Sequence, residues 1–341
     1  MEYFELRDML EDLCEAKGTS GKENSAGDVA AKMLSKYMKV SRDALGSVIG
    51  KKGEGKGILL DAHIDQIGLI VTSIEDDGFL KIAKVGGADI RVLTAAKVTV
   101  HGKKDIFGVI TSVPPHLASS KDEGKATVFD DITIDIGMSK AEAEKIVSLG
   151  DRVTFDGPFD CLIGNRVASP SIDDRAGIVV ILRCLQLLEG KNTCPIEVMF
   201  SVQEETGGSG AVAGAFNSTS DEAIATDVSF ASAPGVSKEK YASLGDGAMI
   251  GYSPALDYAM SKRLTEIANE KGIKNVPEVM GGSTGTNGDD IQISRGGIKT
   301  GLISIPIRNM HTAVEVVDLA DIEACAQLMA EYILERSKDN A

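Results

Sequence analysis

The sequence has no tryptophan, and its other aromatic residues number only 15, made up of 6 Tyr and 9 Phe. That is a poor stock for stacking sugar rings. Its five cysteines, Cys14, Cys161, Cys184, Cys194 and Cys325, are odd in number, scattered, and include no C-x-x-C pair. This excludes a zinc finger or a disulfide scaffold and points to reduced thiols in a cytoplasmic protein. No apolar run reaches the length of a membrane span, and the acidic start MEYFELRDMLEDL does not read as a signal peptide. Positive charge is in the minority: 36 Lys and Arg against 51 Asp and Glu leave a formal net charge of −15. A surface of that sign repels nucleic acid and anionic membranes, so neither is an expected partner. Most of the excess serves solubility.

What is present describes a globular protein, with 43% hydrophobic residues in a chain of 341, long enough for two domains or for one large domain with an insertion. The first forty residues predict two helices separated by KGTSGKEN, followed by the strand-like runs SVIGKK and GILLDAHID. Between about residues 70 and 165 short β-rich pieces such as IGLIVTSI, AAKVTVHG and DIFGVITSV alternate with Gly, Asp and Pro turns, and only SKAEAEKIVSLG reads as helical. That texture predicts a small β-barrel or sandwich. After residue 170 strands (PIEVMFSVQEE, EAIATDV, KTGLISIPI) alternate with helices (DRAGIVVILRCLQLLEG, SPALDYAMSKRLTEIANEKG, DLADIEACAQLMAEYILERSK). The expectation is an α/β domain with a mostly parallel or mixed sheet and helices on both faces, interrupted by a small β-barrel-like domain. The boundaries expected are 1–70 and 166–341 for the α/β domain and 71–165 for the insertion.

The chemistry-bearing residues gather where those strands end. His63 closes an apolar strand in LLDAHIDQIG, with Asp65 two residues on and therefore on the same face, placed to accept the second ring N–H of a metal-bound imidazole. Asp173 and Asp174 precede a helix in SPSIDDRAG, Glu204 and Glu205 follow a strand in FSVQEETGGSG, Asp227 follows another in AIATDVS, and His311 follows the last in PIRNMHTAVE. Any one of these taken alone is what a solvated turn carries. Together they converge on one edge of a parallel sheet, as a two-metal hydrolase requires. His101 and His116 lie inside the β-rich insertion and are read as ordinary polar residues.

With DAHIDQIGLIV, GVITSVPPHL, SIDDRAG, VQEETGGSGA, ATDV and PIRNMHTAVE in this order, the chain resembles the cocatalytic metallo-aminopeptidases of the glutamyl and deblocking aminopeptidase family, the tetrahedral aminopeptidases sometimes labelled endoglucanases. The resemblance runs over nearly the whole chain. It implies a zinc-peptidase-like catalytic domain, an inserted β-rich domain through which subunits pair, and a homo-oligomer of dimers assembling to a dodecamer. It also implies two divalent metal ions per subunit, zinc first, with cobalt or manganese as alternatives. His63, Asp173 and Asp227 would hold one ion, and Asp173, Glu205 and His311 the other, so that Asp173 bridges. Glu204 would be the general base and Asp65 the partner of His63, and the Asp173–Asp174 bond is expected to be cis. The chain departs from the family at Gln66, where Glu is frequent, at Asn309, where an aromatic is usual, and in GGSTGTNGDD (281–290), in place of a Gly-Gly-Thr-Asp stretch. These positions bear on substrate fit.

The function expected is hydrolysis of N-terminal residues from peptides with a free N-terminus, through a water shared by two metals and a Glu general base. Two other classes compete: a cellulase-like glycoside hydrolase, which would use paired carboxylates without metal, and a non-catalytic assembly protein on the same fold. The scarcity of aromatics weighs against the first, and an intact Glu204 with all five ligand residues against the second. Substrate preference is open. Asp246 is either a recognition acid for a basic side chain or amine, or an exposed turn residue.

Overall fold

The computed structural model describes residues 3–114, 128–191, 194–235 and 242–339, so His116 lies outside the described residues. Helix α1 (Phe4–Glu15) buries Leu6, Leu10, Leu13 and Cys14, a stripe at helical spacing. It is followed by α2 (Asn24–Leu34) and strands β1 (Lys39–Arg42), β2 (Val48–Lys52) and β3 (Ile58–His63). Every residue of β3 is buried, the signature of a strand covered on both faces.

The chain then enters a closed barrel made of β4 (Gly68–Ile74), β5 (Leu80–Val85), β6 (Lys97–His101), β7 (Asp105–Ser112), β8 (Ile132–Asp135) and β9 (Arg152–Phe155), in the order β4-β5-β8-β7-β6-β9. Alternate residues of its strands, Leu69 and Val71, Val98 and Val100, Ile132 and Ile134, fill a core separate from the main one. The stretch read as a helix is one turn, α3 (Lys140–Ala143). Beyond it Val147 drops into the barrel core, and the Ile146 carbonyl accepts a hydrogen bond from Lys103 N–H at 2.9 Å instead of continuing the helical ladder. Tertiary contacts override helix propensity there.

The second half supplies β10 (Asp160–Cys161), β11 (Arg166–Ser169), α4 (Ile172–Leu187), β12 (Ile196–Ser201), α5 (Ser209–Asn217), β13 (Glu222–Phe230), β14 (Ala248–Tyr252), α6 (Tyr258–Lys271), β15 (Asn275–Val279), α7 (Gly288–Gln292), β16 (Lys299–Arg308), β17 (Glu315–Asp318) and α8 (Leu319–Asp339). The strands of this half join β1, β2 and β3 in one mixed sheet of 11 strands. Its centre, β12-β3-β13-β16, is parallel, and antiparallel strands flank it. Strand alternation sends Ile58 and Leu60 into the large core with α4 and α8, while Leu59 and Met199 pack with Ala211 and Ala215 of α5 and Ile291 of α7. Helices therefore cover both faces, and the fold is mixed α/β with a closed β-barrel. No helix among the described residues is long and apolar enough to cross a membrane.

Candidate metal centre

Strand register brings the acids and histidines to one edge. Ser201 at the end of β12 is level with His63 at the end of β3, so Glu204 and Glu205 lie just beyond. Ala225 of β13 pairs with Asp61, which places Asp227 level with His63 too. Asp227 is inside β13 rather than after it, because that strand outruns β3 and continues pairing with β16 to Phe230. The Asp173–Asp174 peptide bond is cis, and both residues depart from helical dihedrals at the start of α4. Asp174 accepts hydrogen bonds from His63 N–H at 3.3 Å and Gly177 N–H at 2.9 Å, which tie that turn to β3 and cap the regular part of α4. His311, between β16 and β17, has a φ of 64°, a left-handed conformation held by the hydrogen bond from its N–H to Glu315 at 2.9 Å.

Asp173 stands between the two histidines. Its Oδ1 lies 3.0 Å from His63 Nε2 and its Oδ2 3.3 Å from His311 Nε2. His63 Nε2 is also 3.8 Å from Asp227 Oδ1, and His311 Nε2 is 3.5 Å from Glu205 Oε1. Two triplets of donor atoms result, His63–Asp173–Asp227 and Asp173–Glu205–His311, each within 4.8 Å of one another. Glu204 is outside both triplets, with Oε2 3.9 Å from His63 Nε2. The other ring nitrogen of His63 lies 3.0 Å from the carbonyl oxygen of Asp65 and 3.5 Å from its carboxylate, so the backbone is the nearer acceptor. The Asp65 side chain also accepts Ser20 Oγ–H at 2.5 Å and the N–H groups of Glu204 and Glu205 at 3.0 and 3.2 Å. It holds the turn that carries the paired glutamates.

The electrostatics suit cations. Burial pushes the Asp227 carboxyl well up, with Asp174 adding to it, and pushes Glu205 to about 8, helped by Asp173. Burial raises Glu204 as well. At Asp173 burial opposes the charge, but the hydrogen bonds from His311 and His63 hold it below the ordinary carboxylate range. Burial alone would lower His311, yet the bond to Asp173 and the charge of Glu205 raise it to about 9. Among the described residues the ion pairs of these acids run to His63 and His311 alone. A set of crowded carboxylates drawing protons onto its histidines is one that divalent cations would neutralise. The donors are imidazole and carboxylate without thiolate, which fits zinc, cobalt or manganese.

Further residues support the site, and of these Glu315 was given no role by the sequence. Glu315, 1% exposed, accepts both Asp173 N–H at 3.0 Å and His311 N–H at 2.9 Å, one on each oxygen. Beneath the site Asn287 donates to Asp61 at 2.9 Å and to Ser201 at 2.7 Å. The barrel contributes the loop after β5: a Cβ on Gly87 would collide with the His311 ring, and one on Gly86, at φ +75°, would stand 2.9 Å from Glu205 Oε2. Gln66 is buried against the loop before α2, where its Oε1 accepts Gly18 N–H at 3.2 Å. Asn309 donates to the Val314 carbonyl at 3.1 Å. Asp246 is an exposed turn residue that accepts Ser243 N–H, and His101 pairs with Asp105 and Thr154 on the barrel. Thr284, Gly285 and Thr286 line a cavity of about 1100 Å³ that opens over Asp173, Glu204, Glu205 and Asp227.

Several known proteins are similar to this chain over nearly its whole length. A lysyl aminopeptidase of Pyrococcus furiosus is 32% identical over 338 residues, 97% of each chain. The structure of an aminopeptidase from the archaeon Desulfurococcus kamchatkensis superposes with a TM-score of 0.92 at 34% identity, covering 98% of this chain and 96% of that one. The Pyrococcus horikoshii TET1 peptidase, which can assemble into a tetrahedron or a large octahedral shell, superposes with a TM-score of 0.84 at 31% identity over 96% of this chain and 99% of that one. The family profile described as M42 glutamyl aminopeptidase matches residues 46–328. A match of that extent, together with relatives similar from end to end, places the chain in the M42 glutamyl aminopeptidase family.

Proposed function

We propose that this chain is a dinuclear metallo-aminopeptidase that removes N-terminal residues from peptides with a free N-terminus. Family membership supports aminopeptidase activity, and the observation that carries the metal reading is Asp173, whose two oxygens face two different histidines, each with one further acid. His63, Asp173 and Asp227 would hold one ion and Asp173, Glu205 and His311 the other, with zinc the first candidate and cobalt or manganese the alternatives. Bound there, divalent cations supply Lewis acidity toward the scissile carbonyl and acidify the attacking water. Glu204 lies beside the ligands without belonging to either triplet, free to take the proton of that water and return it to the leaving amine. Asp65 positions it, because the Asp65 carboxylate holds the backbone of both glutamates. Gly86 and Gly87 keep the barrel loop close enough to wall the cavity without displacing Glu205 or His311.

The proposal extends to assembly. Segments 1–70 and 166–341 carry the chemistry, and the insertion at 71–165 pairs subunits into dimers that build a dodecamer in a reducing, cytoplasmic setting. The test of function is amino-acid release from aminoacyl p-nitroanilides and short peptides by chelator-stripped protein, with zinc, cobalt or manganese restored separately. Activity that returns with metal, and is absent from Glu204→Gln, is the expected result. Release of reducing sugar from a glucan without metal would instead favour a glycoside hydrolase.

A further inference from the structure

One acid of the cavity has no part in the metal centre. Glu278 is on β15, an edge strand that joins the sheet through β14, and it belongs to neither donor triplet. Its side chain is held by two hydroxyls. Ser304 Oγ donates to its Oε2 at 2.7 Å, and Ser229 Oγ donates to its Oε1. Ser304 is the register partner of Asp227 on β16, and Ser229 lies two residues beyond Asp227 on β13. Both serines line the same cavity as Glu278 and the metal-centre acids. Each hydroxyl contributes its one proton, which orients the carboxylate and leaves lone pairs for a further donor. No ion pair to Glu278 is formed among the described residues. Among the described residues, this half-buried carboxylate facing a ligand cavity is met only by neutral groups and has no counter-cation. Around it the wall is apolar: Pro277, Val279, Met280, Leu302 and Phe230.

We infer that Glu278 is a specificity-determining residue that receives the cationic head of a basic side chain, so that the preferred substrates carry Lys or Arg at the N-terminus. This rests on the aminopeptidase reading above. The apolar wall suits the aliphatic stem of such a side chain, and the carboxylate suits its head. The α-amine of a substrate is a second cation, but it is joined through one Cα to the scissile carbonyl. It therefore stays beside Glu204 and Glu205, just beyond the end of β12, and Asp227, level with the end of β3 inside β13. An acidic N-terminal side chain would meet repulsion at Glu278. The net charge of −15 adds a field that draws cationic peptides toward the cavity.

The experiment measures kcat/KM of metal-loaded wild type, Glu278→Gln and Glu278→Lys on the p-nitroanilides of Lys, Arg, Leu, Met and Glu, with thermal unfolding as a check on the fold. Wild type should favour Lys and Arg. Glu278→Gln should lose roughly tenfold to a hundredfold on those two, chiefly through KM, the range for a hydrogen bond to a charged group, while Leu and Met change by less than about threefold. Glu278→Lys should shift the preference toward Glu. A uniform loss on all five substrates, or no loss on any, overturns the assignment. Wild type that prefers Leu to Lys overturns it while leaving the aminopeptidase reading intact. Calorimetry with L-lysine and L-norleucine separates the two readings further, because it needs no turnover. Lysine should bind wild type more tightly than norleucine and lose that advantage in Glu278→Gln. Equal binding of the two by wild type overturns the inference. Silence across the p-nitroanilides with a lysine preference intact counts against the hydrolase reading alone.

Discussion

Glu315 offers the sharpest test of how the two donor triplets are held. Its Oε2 accepts the N–H of Asp173 and its Oε1 the N–H of His311, at 3.0 and 2.9 Å, and the side chain is 1% exposed. One carboxylate therefore fixes the backbone of the bridging acid and of the second histidine together. Burial pushes its pKa well up, with Asp173 adding to the effect, while the two N–H groups pull toward the ionised form. Glu315→Gln keeps the volume and one acceptor oxygen, but turns an NH2 group onto the other N–H. A hydrogen bond to a charged group contributes about 1.5–3 kcal/mol, and an unpaired buried donor costs a further 1–3 kcal/mol or so. Removing a buried negative charge returns part of this. The expected loss is about 2–4 kcal/mol, read from urea unfolding of metal-stripped protein so that bound ions do not mask it. Zinc affinity, measured by chelator competition, should fall with it by at least tenfold, since misplacing Asp173 disturbs both triplets. A Gln variant with the wild-type unfolding midpoint and zinc affinity would refute this reasoning.

Other expectations follow from the same geometry. Glu204→Gln should lower kcat by roughly 10²–10⁴, the range for general-base catalysis, with metal content by elemental analysis unchanged. Gly87→Ala places a Cβ against the His311 ring, so activity should fall at least tenfold by steady-state assay while the unfolding midpoint stays within about 1 kcal/mol of wild type. Asp321 is fully buried and accepts the N–H groups of Gly245 and Gly247, both at 2.8 Å, and burial raises its carboxyl to about 7. Because the folded pKa exceeds the unfolded one, the folded chain binds the extra proton between about pH 4 and 7, and stability falls as pH rises through that window. Relative to Asp321→Asn, wild type should therefore lose stability between pH 5.5 and 7, by at most about 1.4 kcal/mol per pH unit, and level off above. A parallel pH dependence in the two proteins, by urea midpoints, would assign the effect elsewhere.

The α/β character of the fold was legible because its strongest elements are locally unambiguous. The apolar run of β3, buried along its whole length, the stripe of α1 and the long apolar helices α4 and α8 can be read without partners. The strands that escaped reading are short or atypical. β15 is the edge strand NVPEV, with Pro277 in its middle and no clean alternation, and it is a strand only because β14 pairs with it. Glu278 was invisible for the same reason. Within the site, the residues that converge belong to strand ends and turns, whose position a parallel topology dictates. Those that hold them in place do not announce themselves. Glu315 reads as one polar residue of the strand EVVD, and its burial follows from β17 pairing with β11, which sets it opposite Ser169 at the entrance to the Asp173–Asp174 turn. Asn287 meets Asp61 across 226 residues of sequence, a contact no local pattern encodes. Asp227 could be placed beside His63, but not inside β13, because the overhang of β13 beyond β3 depends on its pairing with β16.

The most direct test of the account is metal stoichiometry across the ligand set, measured by elemental analysis after reloading stripped protein with zinc. Wild type should hold two equivalents per chain, His63→Ala and His311→Ala one each, and Asp173→Ala fewer than either. One equivalent in wild type, or two retained by Asp173→Ala, would contradict a centre built on Asp173 between His63 and His311.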